Sequence, residues 1–192
     1  MNTPNRRNAI LEAARAEFAT HGYFGARIER IAAEAKANKQ LIFHYFGSKD
    51  GLYSAAVAAA LSGAPPMTEE PSPPPDALKR HVSALTEWLI KTPGAALAIS
   101  ECRPGRDVPA GAVSQVAGWM ESQERHLSAL LDDGQRKGHF RDDIDVQAIV
   151  ALSLGSAIGL VLSGSDASFE SRISTDYPSI VARAVADQCV WR

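Results

Sequence analysis

Apolar positions recur at helical intervals through most of this chain. Ile10, Leu11, Ala14 and Phe18 line one face over Arg6–His21, and Gly22 follows as a stop. Ile28, Ile31, Ala32 and Ala35 repeat at the same spacing and predict a second, short helix. Asn38 is a fair N-cap for a third helix running to Phe46, which Gly47 ends. Ser48 then caps a fourth, Lys49 to Leu61. Residues 63–75, GAPPMTEEPSPPP, hold six prolines in 13 positions and predict a non-helical, semi-stiff spacer. Beyond it the pattern is helical again over Asp76–Lys91, Pro93–Glu101, Ala110–Lys137, Asp145–Leu162 and Arg172–Val190. No alternating strand of useful length and no internal repeat is present, so the predicted fold is all-α with about nine helices.

Charge changes that picture by splitting it. Residues 1–62 carry eight Lys and Arg against five Asp and Glu, a balance of +3, whereas residues 63–192 carry 12 against 17, a balance of −5. A basic front and an acidic rear predict two jobs in one chain, divided as 1–62, a proline-rich loop 63–75, and 76–192. The start MNTPNRRNAI lacks the apolar run of a signal peptide. The most apolar segment, Ile149–Leu162, spans about 14 residues, short of the ~20 that cross a bilayer, and reads as a buried helix. Cys102 and Cys189 make no metal-ligand spacing, and a reduced, cytoplasmic protein without membrane contact is expected.

Helices two and three lie a few residues apart across Lys36 and Ala37, the arrangement of a helix-turn-helix whose second helix enters a DNA major groove. Ala32 is small where the two would cross, and Ile31, Ala35 and Ile42 are apolar where they would face a core. On helix three, Ile42 and Phe46 share the inner face, while Gln40 and His44 point away, flanked by Leu41 and Phe43. Gln pairs with adenine edges and Leu touches a thymine methyl. His44, Tyr45 and Lys49 suit phosphates, Lys49 beside a helix N-terminus that itself favours an anion. The front's positive balance supplies sequence-independent attraction.

Ala9 to Val57 resembles the DNA-binding domain of the tetracycline-repressor (TetR) family. The resemblance is carried by Phe18, Gly22 and Tyr23 at the end of helix one, by Ile31 and Ala32 in helix two, and by the run HYFGSKDGLY from His44 to Tyr53. It implies a homodimeric transcriptional repressor of a double-stranded, palindromic operator, released by a small-molecule effector. The recognition helix would be Lys39 to Tyr45. The DNA-contacting set is expected to be Arg27, Lys36, Asn38, Lys39, Gln40, Leu41, Phe43, His44, Tyr45 and Lys49. Three departures stand out. Lys36 replaces the usual turn glycine, at roughly 1 kcal/mol if it is left-handed. Ala26 stands where helix two usually opens with Thr, leaving Arg27 to take the phosphate contact. Gln40, Leu41 and Phe43 differ from the usual residues of the recognition helix.

The rear is expected to be the ligand-binding and dimerisation domain. Trp88, Trp119 and Met120 are either core or pocket lining, and Cys102, beside Glu101 and Arg103, is a candidate for a pocket rim or sensor thiol. His81, His126 and His139 read as surface or core. Gly155 and Gly159, four apart around Ser156, permit close helix approach. The resemblance places the dimer on the last two long helices, with Leu152, Gly155, Ser156, Gly159, Ile180 and Ala184 as candidates. The alternative is a helical small-molecule carrier or an enzyme with an incidental helix-turn-helix. No nucleophile elbow, phosphate loop, metal spacing or dinucleotide fingerprint supports it. No catalytic residue, metal or cofactor is expected.

Overall fold

The computed structural model describes residues 3–66, 72–103, 105–163 and 177–190. Among these are nine α-helices and no strand: α1 Thr3–Gly25, α2 Ile28–Glu34, α3 Lys39–Phe46, α4 Lys49–Leu61, α5 Pro74–Lys91, α6 Pro93–Glu101, α7 Ala110–Arg136, α8 Val146–Ser163 and α9 Tyr177–Cys189. The all-α expectation holds. Parts of the proline run, 67–71, and the expected start of the last helix, 172–176, lie outside the described residues.

Local chemistry explains the boundaries. The Asn38 side chain accepts from the Leu41 N–H and the Ser48 hydroxyl from the Gly51 N–H, so both caps act as their residue types predict. Two boundaries differ. Gly22 does not end α1: it bends it, with φ 63 and ψ −176, and one further turn continues to Gly25. Helix α5 begins at Pro74, because a proline costs nothing in a first turn whose N–H groups have no helical partner.

The chain forms two compact units, which interleave in sequence. The first comprises residues 1–63 and 92–119, the second residues 64–91 and 120–192, and α7 contributes to both. In the first, α1, α2, α3, α4 and α6 enclose Ile10, Phe18, Ile31, Ile42, Leu52 and Tyr53, all buried. Phe18 meets Tyr53 edge-on, with ring centroids 4.9 Å apart.

In the second unit α5 packs against α8 and α9 through Leu78, Val82, Leu85 and Leu89 on one side and Ile149, Leu154, Val181 and Val185 on the other. Its buried hydroxyls bond back to their own helices, Thr86 to the Val82 carbonyl at 2.8 Å and Ser153 to that of Ile149 at 2.7 Å. Helix α8 keeps its predicted bounds to within a residue, but it is not the buried helix expected. It runs 18 residues at mean hydropathy 2.0, long and apolar enough to cross a membrane, yet only 33% of it is buried. Leu152, Gly155, Gly159 and Leu162 share its open face, Leu152 being 52% exposed.

His81 on α5 adds a pH dependence to this unit. Burial first, then the nearby His126, push its pKa from 6.5 down to about 4, against an opposing pull from Gln123. The unfolded chain therefore binds more protons than the folded one between those values. This contribution is complete above pH 6.5 and falls by about 3 kcal/mol as pH drops through about 4. Urea unfolding at a series of pH values checks it: across that window His81→Phe is expected to lose about 3 kcal/mol less than wild type. Equal losses would contradict the assignment.

Candidate nucleic-acid interface

Helix α3 is held by one fully buried residue and offers the rest outward. Ile42 is at 0% exposure, whereas Gln40, Phe43 and His44 are exposed, Phe43 at 42%, and Leu41 and Tyr45 are half-buried. An exposed phenylalanine beside an imidazole, an amide and a second aromatic ring is an unusual solvated face. Phe46, expected in the core, is half-buried, with the Arg7 guanidinium 4.9 Å above its ring. Ala35 likewise lies only partly inside.

The turn before α3 carries Lys36 at φ 49, the one non-glycine residue among the described residues with positive φ. Its side chain is exposed, so the strain of the left-handed turn delivers a cation to the surface. Lys39, also exposed, pairs with Glu29 of α2.

One sequence expectation needs revising. The residue that opens α2 is Arg27, not Ala26, which is buried. The Arg27 side chain makes no cap. Instead Glu17 of α1 serves, its carboxylate accepting the Arg27 N–H at 2.8 Å and the Arg30 Nε at 2.7 Å. Arg27 thereby keeps its exposed side chain for other contacts. Lys49 does more than the sequence suggested. Its ammonium donates to the Ala26 carbonyl at 2.8 Å and sits 4.8 Å over the Tyr23 ring, so it ties α4 to the start of α2, with further donors left over.

Sequence reasoning missed the group that closes this unit from the far side. The carboxylate of Glu101, the last residue of α6, accepts the Tyr23 N–H at 3.1 Å and the Tyr53 hydroxyl at 2.7 Å. One acceptor thus joins the α1 bend, α4 and α6. Burial first, then this bond, drive the Tyr53 phenol well above its ordinary range. The Tyr23 hydroxyl donates to Asp50 at 2.6 Å, a bond that with burial lifts its pKa to about 12. No local signal marks Glu101, which lies 78 residues from Tyr23.

Cys102 follows in the same place. It is 6% exposed, and burial pushes its thiol up, which is the opposite of a sensor thiol's environment. The four pocket candidates divide, Cys102 and Trp119 in the first unit, Trp88 and Met120 in the second. Two grooves along α1, of about 480 and 540 Å³, are lined by Ala13, Ala16 and Glu34 and by none of the four. Of the dimer candidates, Leu152, Gly155, Gly159, Ile180 and Ala184 are exposed, while Ser156 is half-buried with its hydroxyl turned to the Ser153 carbonyl.

Comparison with known proteins falls on this interface. The family profile described as bacterial regulatory proteins, tetR family, matches residues 10–56. The HTH-type transcriptional repressor SCO4008 of Streptomyces coelicolor is 62% identical over 48 residues, 25% of this chain, and the chain spans only 25% of that relative's own length. The HTH-type transcriptional repressor NicS of Pseudomonas putida is 28% identical over 142 residues, 72% of this chain and 67% of that one. Among solved structures, the transcriptional regulator FadR from Bacillus subtilis in complex with stearoyl-CoA is similar in fold, with TM-score 0.71 over 96% of this chain and 97% of that one at 17% identity.

Proposed function

We propose that this chain, whose residues 10–56 match the tetR-family profile, is a TetR-family regulator: a cytoplasmic, homodimeric transcriptional repressor that reads a palindromic operator and is released by a small molecule. One observation carries the reading: α3 buries Ile42 and leaves Gln40, Leu41, Phe43, His44 and Tyr45 available along one short helix. Gln40 and Leu41 take the base edges, and the aromatic set and Asn38 lie against the backbone. Arg27, Lys36 and Lys39 supply phosphate contacts, with Lys49 positioning the helices that carry them. The protein is not an enzyme in this reading.

The second copy covers the open face of α8 and α9. Leu152, Gly155, Gly159, Ile180 and Ala184 form an apolar stripe with small residues at its centre, which suits close packing of two identical helices. A two-fold pair then sets two recognition helices one turn of DNA apart. The effector acts in the second unit, where Trp88 and Met120 lie, by favouring a state in which that spacing is lost. Its leverage equals its differential affinity for the two states.

Recognition-helix variants test the reading directly. Gln40→Ala and Leu41→Ala are expected to relax preference at one base position each, by about 1–3 kcal/mol. Arg27→Ala is expected to weaken all sequences equally and to reduce the salt slope by about one. Fluorescence anisotropy against a panel of singly substituted duplexes separates the two. Unchanged preference in both helix variants would move the reading face elsewhere.

A further inference from the structure

The second unit holds two buried polar side chains, His81 and Gln123, close enough to bond to each other but without good hydrogen-bond geometry. His81 on α5 is 9% exposed and Gln123 on α7 is 2% exposed. Among the described buried side-chain atoms, only His81 Nε2 and Gln123 Oε1 lack a hydrogen-bond partner. Each such atom costs about 1–3 kcal/mol. Thr86 and Ser153, in the same unit, show the ordinary solution of bonding back to a helix carbonyl. The pair escapes it. The His126 ring stands 4.7 Å from that of His81, so the polar atoms gather at one place between the two helices. Leu85, four residues along α5 from His81, and Leu127, four along α7 from Gln123, are both buried.

The chemistry of the two atoms selects what would fit. Gln123 Oε1 only accepts, and the His81 ring serves it poorly, so a ligand that brings an O–H to it improves on what the protein supplies. His81 Nε2 donates or accepts according to tautomer, so one hydroxyl can donate to the amide and accept from the ring. The imidazole stays neutral near pH 7 and offers no fixed charge to a carboxylate or phosphate. Nearby cations do not change this: Arg80 is exposed, and Arg125 is exposed and pairs with Glu121. No group of three or more metal-ligating side chains occurs among the described residues.

We propose that His81 and Gln123 form the polar anchor of the effector site, and that the effector is an uncharged, largely apolar molecule bearing a hydroxyl. This rests on the reading of the second unit as the effector-binding part of a regulator.

The full chain, with histidine rings isotopically labelled, is titrated with 1-octanol, phenol and octanoate while ring resonances and melting temperature are followed. At least one hydroxyl probe is expected to saturate, shift the His81 ring and bind at least tenfold tighter than octanoate. Gln123→Leu is expected to raise the melting temperature of the ligand-free protein, since a poorly paired buried acceptor is removed, and to weaken the hydroxyl probe at least tenfold. Saturable binding of neither hydroxyl probe, octanoate binding equally well in wild type, or an unchanged response in Gln123→Leu would each overturn the inference. The wild-type comparison decides even if the variant fails to fold. Binding to DNA is measured on the same preparation. Retained DNA binding with no probe response overturns this inference alone, whereas wild type that binds no DNA overturns the regulator reading.

Discussion

Gly22→Ala is expected to destabilise the first unit by about 3–5 kcal/mol, combining backbone strain with the loss of a buried charge-assisted bond. At φ 63 and ψ −176 the backbone occupies a region that essentially only glycine visits. A Cβ there would stand 2.2 Å from Glu101 Oε1 and 3.2 Å from Glu101 Cδ. The carboxylate is not free to retreat, because it holds the Tyr23 N–H and the buried Tyr53 hydroxyl. Displacing it strands both donors. Thermal or urea unfolding measures the loss, and the pair Gly22→Ala and Glu101→Ala supplies a double-mutant cycle. The combined variant should lose clearly less than the sum of the two, because the clash disappears with the carboxylate. Simple additivity would mean that the bend and Glu101 are energetically independent.

Leu152→Arg is expected to dissociate the proposed dimer and to weaken operator binding by roughly 100-fold or more. Leu152 is 52% exposed on α8, in line with Gly155 and Gly159. Near a two-fold axis each substitution appears twice, so two guanidinium groups would be buried against an apolar stripe without partners. Such uncompensated charge costs several kcal/mol, and about 3 kcal/mol already gives that fold-change. Because the side chain faces outward, the subunit itself should keep its far-ultraviolet circular dichroism. Sedimentation velocity and anisotropy on one preparation measure both effects. A dimer that survives the substitution would place the interface on another surface.

Most helices were legible because their signals are local. Asn38 and Ser48 cap, Gly47 stops, and the apolar spacing of Ile28, Ile31 and Ile42 finds the inner faces without any knowledge of neighbours. The exposed face of α3 was legible for the same reason, being the complement of a single buried residue. What sequence could not show is every interaction that depends on distant partners. Glu101 reaches Tyr53 across 48 residues and Lys49 reaches Ala26 across 23, so one became a closing contact and the other gained a tie between helices. His81 and Gln123 lie on helices separated by α6, and no spacing rule pairs them. Helix α8 was legible to within a residue at each end, and its serines at 153 and 156 bond to backbone carbonyls; its open face was not legible, because burial depends on distant partners.

Selection from random duplex DNA tests the operator reading most directly. The purified protein is incubated with random sequences at a stated salt near physiological, and the bound fraction is sequenced. Enrichment of a two-fold palindrome is expected, with half-sites about one helical turn apart or a multiple of it, as two recognition helices require. Uniform, salt-sensitive binding without any enriched sequence would contradict it, leaving only the electrostatic attraction of the basic front.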